Sequence, residues 1–181
     1  MKREIEDIIR EAKSMGFSEV GELDSKTITL KQEVRDMCAS NTCGMYGKNW
    51  SCPPGSGELD ICREELKDFK YGVIVQTVGD IEDSFDFEGM MEVQDKHTKM
   101  YEDFAEVLKK KYKKVLCLGT GTCTICKECT YPDNPCRFPD KQISSMESYG
   151  MLVSEICKDN NMKYYYGSDK ICYTACYLIE F

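Results

Sequence analysis

Cys123, Cys126 and Cys129 are each separated by two residues, and Cys136 follows after a loop carrying Pro132 and Pro135. A C-x2-C-x2-C-x6-C run lets a tight loop turn three thiolates toward one point while its amides aim at the same sulfurs. This suits an iron–sulfur cube, in which each iron takes one cysteine thiolate. Tetrahedral zinc more often draws on two such pairs far apart in sequence, and it is the alternative. In the bacterial ferredoxin run the fourth cysteine comes after three residues and a proline follows it. Here the gap is six, Pro135 precedes Cys136 and Arg137 follows. Cys136 therefore either completes the same cluster or serves another. Gly119 and Gly121, just ahead of the run, allow close backbone approach to a bulky cofactor. Gly119-Thr120-Gly121 lacks the third glycine of a dinucleotide loop and leads into cysteines, not a helix.

Cys38, Cys43, Cys52 and Cys62 form a second group, C-x4-C-x8-C-x9-C. The stretch from Gly44 to Gly55 is dense in turn formers and has no apolar period, so it reads as an ordered loop. A metal inside it would explain a long irregular loop in a compact domain. Tyr46 and Trp50 are placed to wall such a site from water, or simply to pin the loop to the core. A second cluster is the expectation here, with zinc or free thiols as the alternatives.

The chain has twelve cysteines in 181 residues, and the remaining four differ in context. Cys117 lies in an apolar run, Cys157 on the apolar face of an expected helix, and Cys172 and Cys176 on one face of an expected strand. Free cysteine packs as a small hydrophobe, so these four are expected to be structural. The chain opens Met-Lys-Arg-Glu without an apolar leader core, and no stretch is long enough to span a bilayer. Clustered cysteines in such a chain read as metal or redox sites, not disulfides, in a reducing cytoplasm and most naturally an anaerobe. The net charge of −8 argues against nucleic-acid binding.

His97 is the only histidine and falls on the apolar stripe of a helix. A packed role is expected, and the scarcity of histidine disfavours Rieske ligation and Cys–His nucleophilic catalysis. The basic run from Lys109 to Lys114 complements a helix C-terminus, or docks an acidic redox partner such as a ferredoxin.

These loops must be held by rigid elements, and a single domain over residues 1–181 is expected. Ile5, Ile8, Ile9 and Ala12 define a first helix over 2–15. Further helices are expected over 59–69, from Val93 to Lys113, and over 146–160. Strands are expected over 27–30, 71–78, 115–118 and 171–181, with a loop over 80–88. The fold class expected is α/β, an α+β sandwich in which helices flank a mixed β-sheet. Both cysteine loops would sit at sheet ends, on the same side.

Cys43-Gly-Met-Tyr-Gly47, Cys52-Pro-Pro54, Leu118-Gly-Thr-Gly121, Cys136-Arg-Phe-Pro139 and Ser145-Met-Glu147 with Gly150 together resemble a prokaryotic family of predicted metal-binding proteins, domain of unknown function 2284. The resemblance spans roughly residues 38 to 150. It implies iron–sulfur carriers common in anaerobes, some associated with corrinoid methyl-transfer systems, and no established reaction. It lends nothing to Cys117, Cys157, Cys172 or Cys176.

Three functions follow. The first is a small electron carrier with one or two [4Fe–4S] clusters held by eight cysteines. The second is an enzyme whose cluster has an open iron acting as a Lewis acid or in sulfur transfer, which requires a group with only three ligands. Cys62 and Cys136, the most distant members of their groups, are the natural non-ligands. The third is a structural zinc module.

Overall fold

The computed structural model describes residues 2–181. Strand propensity and period-two alternation build its centre. In β5 (Lys170–Glu180), Ala175, Tyr177 and Ile179 face one side while Cys176 and Leu178 face the other. The long neighbour β2 (Tyr71–Asp80) alternates in the same way, with Val73 and Val75 on one face and Ile74 on the other. With β1 (Glu19–Asp24), β3 (Lys114–Gly119) and the short β4 (Ser144–Ser145), they form a five-stranded sheet in the order β1-β2-β5-β3-β4. All pairings are antiparallel except β3 with β4, so the sheet is mixed.

Each face carries its own apolar layer. On one, α1 (Lys2–Ser14) brings Ile5, Ile8 and Ala12, and α4 (Phe87–Lys111) brings Tyr101, Phe104, Ala105 and Leu108. On the other, α3 (Leu59–Leu66) and α5 (Val153–Asp159) deliver Leu59, Cys62, Val153, Ile156 and Cys157. A fifth helix among the described residues, α2 (Gln32–Ala39), precedes the first cysteine loop. The class is α+β, a sheet covered on both faces. No helix among the described residues is long and apolar enough to cross a membrane.

Several local expectations change. The helix expected over 146–160 is broken: a 3-10 turn, Glu147–Tyr149, ends at Gly150, and α5 begins only at Val153. Gly150 sits at φ +80°, and a Cβ there would lie 2.8 Å from Leu59 Cδ1 and 2.9 Å from the Lys31 carbonyl. That close approach needs glycine, and the left-handed backbone stops the helix. The strand expected over 27–30 reduces to one bridge between Leu30 and Met151, because Ser25–Thr27 forms a 3-10 turn capped by the Asp24 side chain. The loop expected over 80–88 ends early, since the Asp86 carboxylate accepts from the Gly89 amide and starts α4 at Phe87. Strand β1 and helix α2 are not foreshadowed. Among β1 residues only Leu23 is fully buried, so its periodicity is faint.

His97 is buried, as its place on the apolar stripe predicts. Its Nδ1 lies 2.8 Å from the Thr77 hydroxyl, its Nε2 has no partner among the described residues, and the Phe17, Tyr101 and Tyr173 rings surround it. Burial depresses its pKa from 6.5 to about 4. Between these values the unfolded chain binds a proton that the folded chain refuses, so stability rises with pH. The full contribution is present above pH 6.5 and is lost as pH falls toward 4. Urea titrations should show about 2 kcal/mol less stability at pH 5 than at pH 7.5 from this residue. His97→Gln should flatten that dependence, and an unchanged slope would refute the assignment.

Candidate metal centre

Strand β3 ends at Gly119 and delivers the chain straight into the Cys123 loop. Cys123, Cys126, Cys129 and Cys136 all line one narrow cavity of about 30 Å³. The loop is tied internally by Arg137 Nη1 donating to the Glu128 carbonyl at 2.8 Å and by the Thr130 hydroxyl donating to the Pro135 carbonyl at 2.8 Å. Its other wall comes from the first loop. The Ser51 hydroxyl accepts from the Cys123 amide at 3.1 Å, the Trp50 indole donates to the Asn134 carbonyl at 3.1 Å, and Gln142 Nε2 donates to the Trp50 carbonyl at 2.9 Å. Trp50 also meets the Tyr131 ring edge-on at 4.9 Å. Trp50 therefore walls the Cys123 cavity, not its own.

The lining of this cavity holds four thiols and no histidine or carboxylate. Such soft ligands suit zinc or iron–sulfur clusters. Asn49, which also lines it, is 3% exposed. Its Oδ1 accepts from both the Ser51 amide and hydroxyl, at 3.0 and 2.6 Å, which fixes the amide orientation. Its Nδ2 has no partner among the described residues. A buried donor without an acceptor is costly, and a sulfur-rich group in the cavity would satisfy it.

The other group divides. Cys38 closes α2, while Cys43 and Cys52 lie on the turn-rich loop that follows. Asn41, Gly44 and Gly47 take positive φ there, and the Gly47 amide donates to the Pro53 carbonyl at 2.8 Å. Cys38, Cys43 and Cys52 line one cavity of about 560 Å³, together with Gly121 and Glu147. Burial, then the Glu147 charge, raises the Cys38 thiol above its ordinary value, and Arg35 partly offsets this. Cys43 and Cys52 push it the same way, since three thiolates in one cavity repel one another. Arg35 is buried and bridges the Ser148 carbonyl at 2.6 Å and the Gly57 carbonyl at 2.7 Å, fastening α2 to the 3-10 turn and to the end of the loop.

Cys62 is not brought to this cavity. It lies on α3, 1% exposed, in the core layer with Leu30, Leu59 and Phe69. Its Sγ faces the Ser56 carbonyl at 3.9 Å. The two glycines also differ. Gly121, at φ +74°, lines the larger cavity, whereas a Cβ on Gly119 would meet Ile143 Cγ2 at 3.1 Å and the Tyr101 ring at 3.3 Å. Among the described residues, no three His, Cys, Asp or Glu side chains form a group that could hold a single metal ion.

The cavities adjoin, because Cys52 Sγ lies 3.5 Å from Thr122 Oγ1 while Ser51 bonds Cys123. Both cysteine loops thus meet at one edge of the fold. Cys117, Cys157 and Cys176 are buried, and burial pushes the first two up to about 11 and Cys176 higher still. Half-buried Cys172, also raised by burial, has its Sγ 3.7 Å from Thr174 Oγ1. Such thiols are poor nucleophiles. All twelve cysteines are free. Within the basic run, Lys109 donates to the Asp140 carbonyl, Lys111 pairs with Glu11, and Lys114 pairs with Asp68.

The family model of the predicted metal-binding protein DUF2284 matches residues 21–179, nearly the whole chain and both loops. The chain belongs to this family. No curated protein and no solved structure matches it. Metal binding in DUF2284 has, in this member, two candidate places: four thiols in a narrow cavity and three in a wide one.

Proposed function

We propose that this DUF2284 protein carries two [4Fe–4S] clusters and moves electrons. The observation that carries the reading is the gathering of Cys123, Cys126, Cys129 and Cys136 around one cavity lined by no other ligand type. Thiols that surround a cavity without meeting at one point suit a group of several atoms better than a single ion. A lone zinc would require its sulfurs about 3.8 Å apart. The orphaned Asn49 donor also favours an acceptor rich in sulfur.

When bound, a cluster supplies a one-electron redox couple. The chain's own residues exclude water and tune that couple: Trp50, held edge-on by the Tyr131 ring, lines the Cys123 cavity, and the Ser51–Cys123 and Cys52–Thr122 contacts keep the two sites adjacent. On the outer face of the Cys123 loop, exposed Phe138 stands with Lys127, Glu128 and Arg137 around a surface depression beside Cys126. This face would receive an electron-transfer partner such as a ferredoxin or a corrinoid methyltransferase system. Twelve free thiols suit a reducing cytoplasm, as in an anaerobe.

A second reading concerns the wider cavity. With Cys62 in the core, the group there has three thiols, and a cube held by three would leave one iron open to the 560 Å³ space. That favours catalysis at this site alongside electron supply from the other. Protein purified anaerobically with ample iron should be brown and carry about eight irons and eight acid-labile sulfides per chain. Colourless protein with stoichiometric zinc and no sulfide would overturn both readings in favour of a structural zinc module.

A further inference from the structure

We propose that the cavity over Cys38, Cys43 and Cys52 binds a small, mainly apolar molecule; this rests on the three-thiol reading of that site. About 560 Å³ falls in the range of ligand pockets, and it far exceeds the 30 Å³ around the four thiols of the other loop. Met45 and Met151 line it, and Met37, Tyr46 and Tyr164 stand exposed along it. Thioether side chains adapt to irregular apolar shapes, and exposed apolar residues grouped at one opening mark a binding surface. No lysine, arginine or histidine is among the lining residues, so no protein side chain there is built to hold an anion. Apart from cysteines and tyrosines the only ionisable lining residue is Glu147, and Val34, Pro53, Leu152 and Val153 extend the apolar wall. Gln94 and Ser154 supply polar contacts for one or two polar atoms.

The test is equilibrium dialysis of anaerobically purified, iron-loaded full chain against acetophenone and acetamide. Acetophenone should bind at one per chain, at least about tenfold more tightly than acetamide, which shares its carbonyl and methyl groups but lacks the ring. Ser154→Trp, which fills the cavity from the half-exposed first turn of α5, should weaken acetophenone at least about tenfold with iron content unchanged. Ser154→Phe serves if the larger side chain prevents folding. No binding, equal or tighter binding of acetamide, or indifference to the filled cavity would overturn the inference while iron content remains normal. Missing iron would instead count against the cluster reading.

A second inference stands on the unpartnered Asn49 amide. We infer that Asn49 Nδ2 donates a hydrogen bond to a sulfur of the cluster at the Cys123 loop and raises its reduction potential, since such bonds stabilise the more negative reduced state. Asn49→Ala and Asn49→Asp, the latter keeping an acceptor for Ser51, should both shift that centre's potential downward with iron retained. An unmoved potential in either iron-replete variant overturns the assignment. If both variants lose iron, the reduced wild type labelled with ¹⁵N-asparagine decides: a resolved nitrogen coupling in its electron–nuclear double resonance spectrum supports the bond, and its absence rejects it.

Discussion

Alanine at Cys123, Cys126 or Cys129 is expected to remove about half of the iron and sulfide from fully loaded protein, or to convert one cube to a three-iron form. Cys136→Ala should act alike, because its side chain lines the same cavity as the other three. The effect is large because a cube has no spare ligand, whereas Cys117→Ala or Cys157→Ala removes a buried thiol held protonated by its surroundings. Those two changes should leave iron content intact and lower stability by about 1 kcal/mol each. Iron analysis together with spectra of the reduced protein separates the two classes. Uniform iron loss across all of these folded variants would mean that position around a cavity does not distinguish ligands from packing thiols.

The second large effect is expected in the wider cavity. Cys38→Ala, Cys43→Ala and Cys52→Ala should each abolish one centre, while Cys62→Ala should keep it. The contrast follows from geometry: the first three line the 560 Å³ cavity, and Cys62 lies 1% exposed in the core layer of α3. With three protein ligands, that centre should also take up an exogenous ligand such as cyanide and change its spectrum, while the centre at the Cys123 loop stays inert. Loss of the centre in Cys62→Ala protein would restore a four-cysteine set and remove the open iron. About four irons per chain in fully loaded wild type would deny the second cluster altogether.

Much of this was already legible in the chain. The C-x2-C-x2-C spacing is local, so the backbone alone brings those thiols near one another, and the turn formers around Cys43 and Cys52 mark an ordered loop. Helical periodicity identified α1 and α4, and β-rich apolar runs identified β2, β3 and β5. Buried roles for Cys117, Cys157, Cys176 and His97 followed from their apolar neighbours. What spacing could not supply was the sorting of residues distant in sequence. Cys62 follows Cys52 by ten positions, yet α3 turns its side chain into the core; Trp50 lies on one cysteine loop and covers the other through a bond to Asn134. The break at Gly150 also depends on contacts with Lys31 and Leu59, more than ninety residues away in sequence. Local chemistry is written in neighbouring residues, whereas which thiols share a cavity is settled only when long-range packing fixes where each helix and loop must lie.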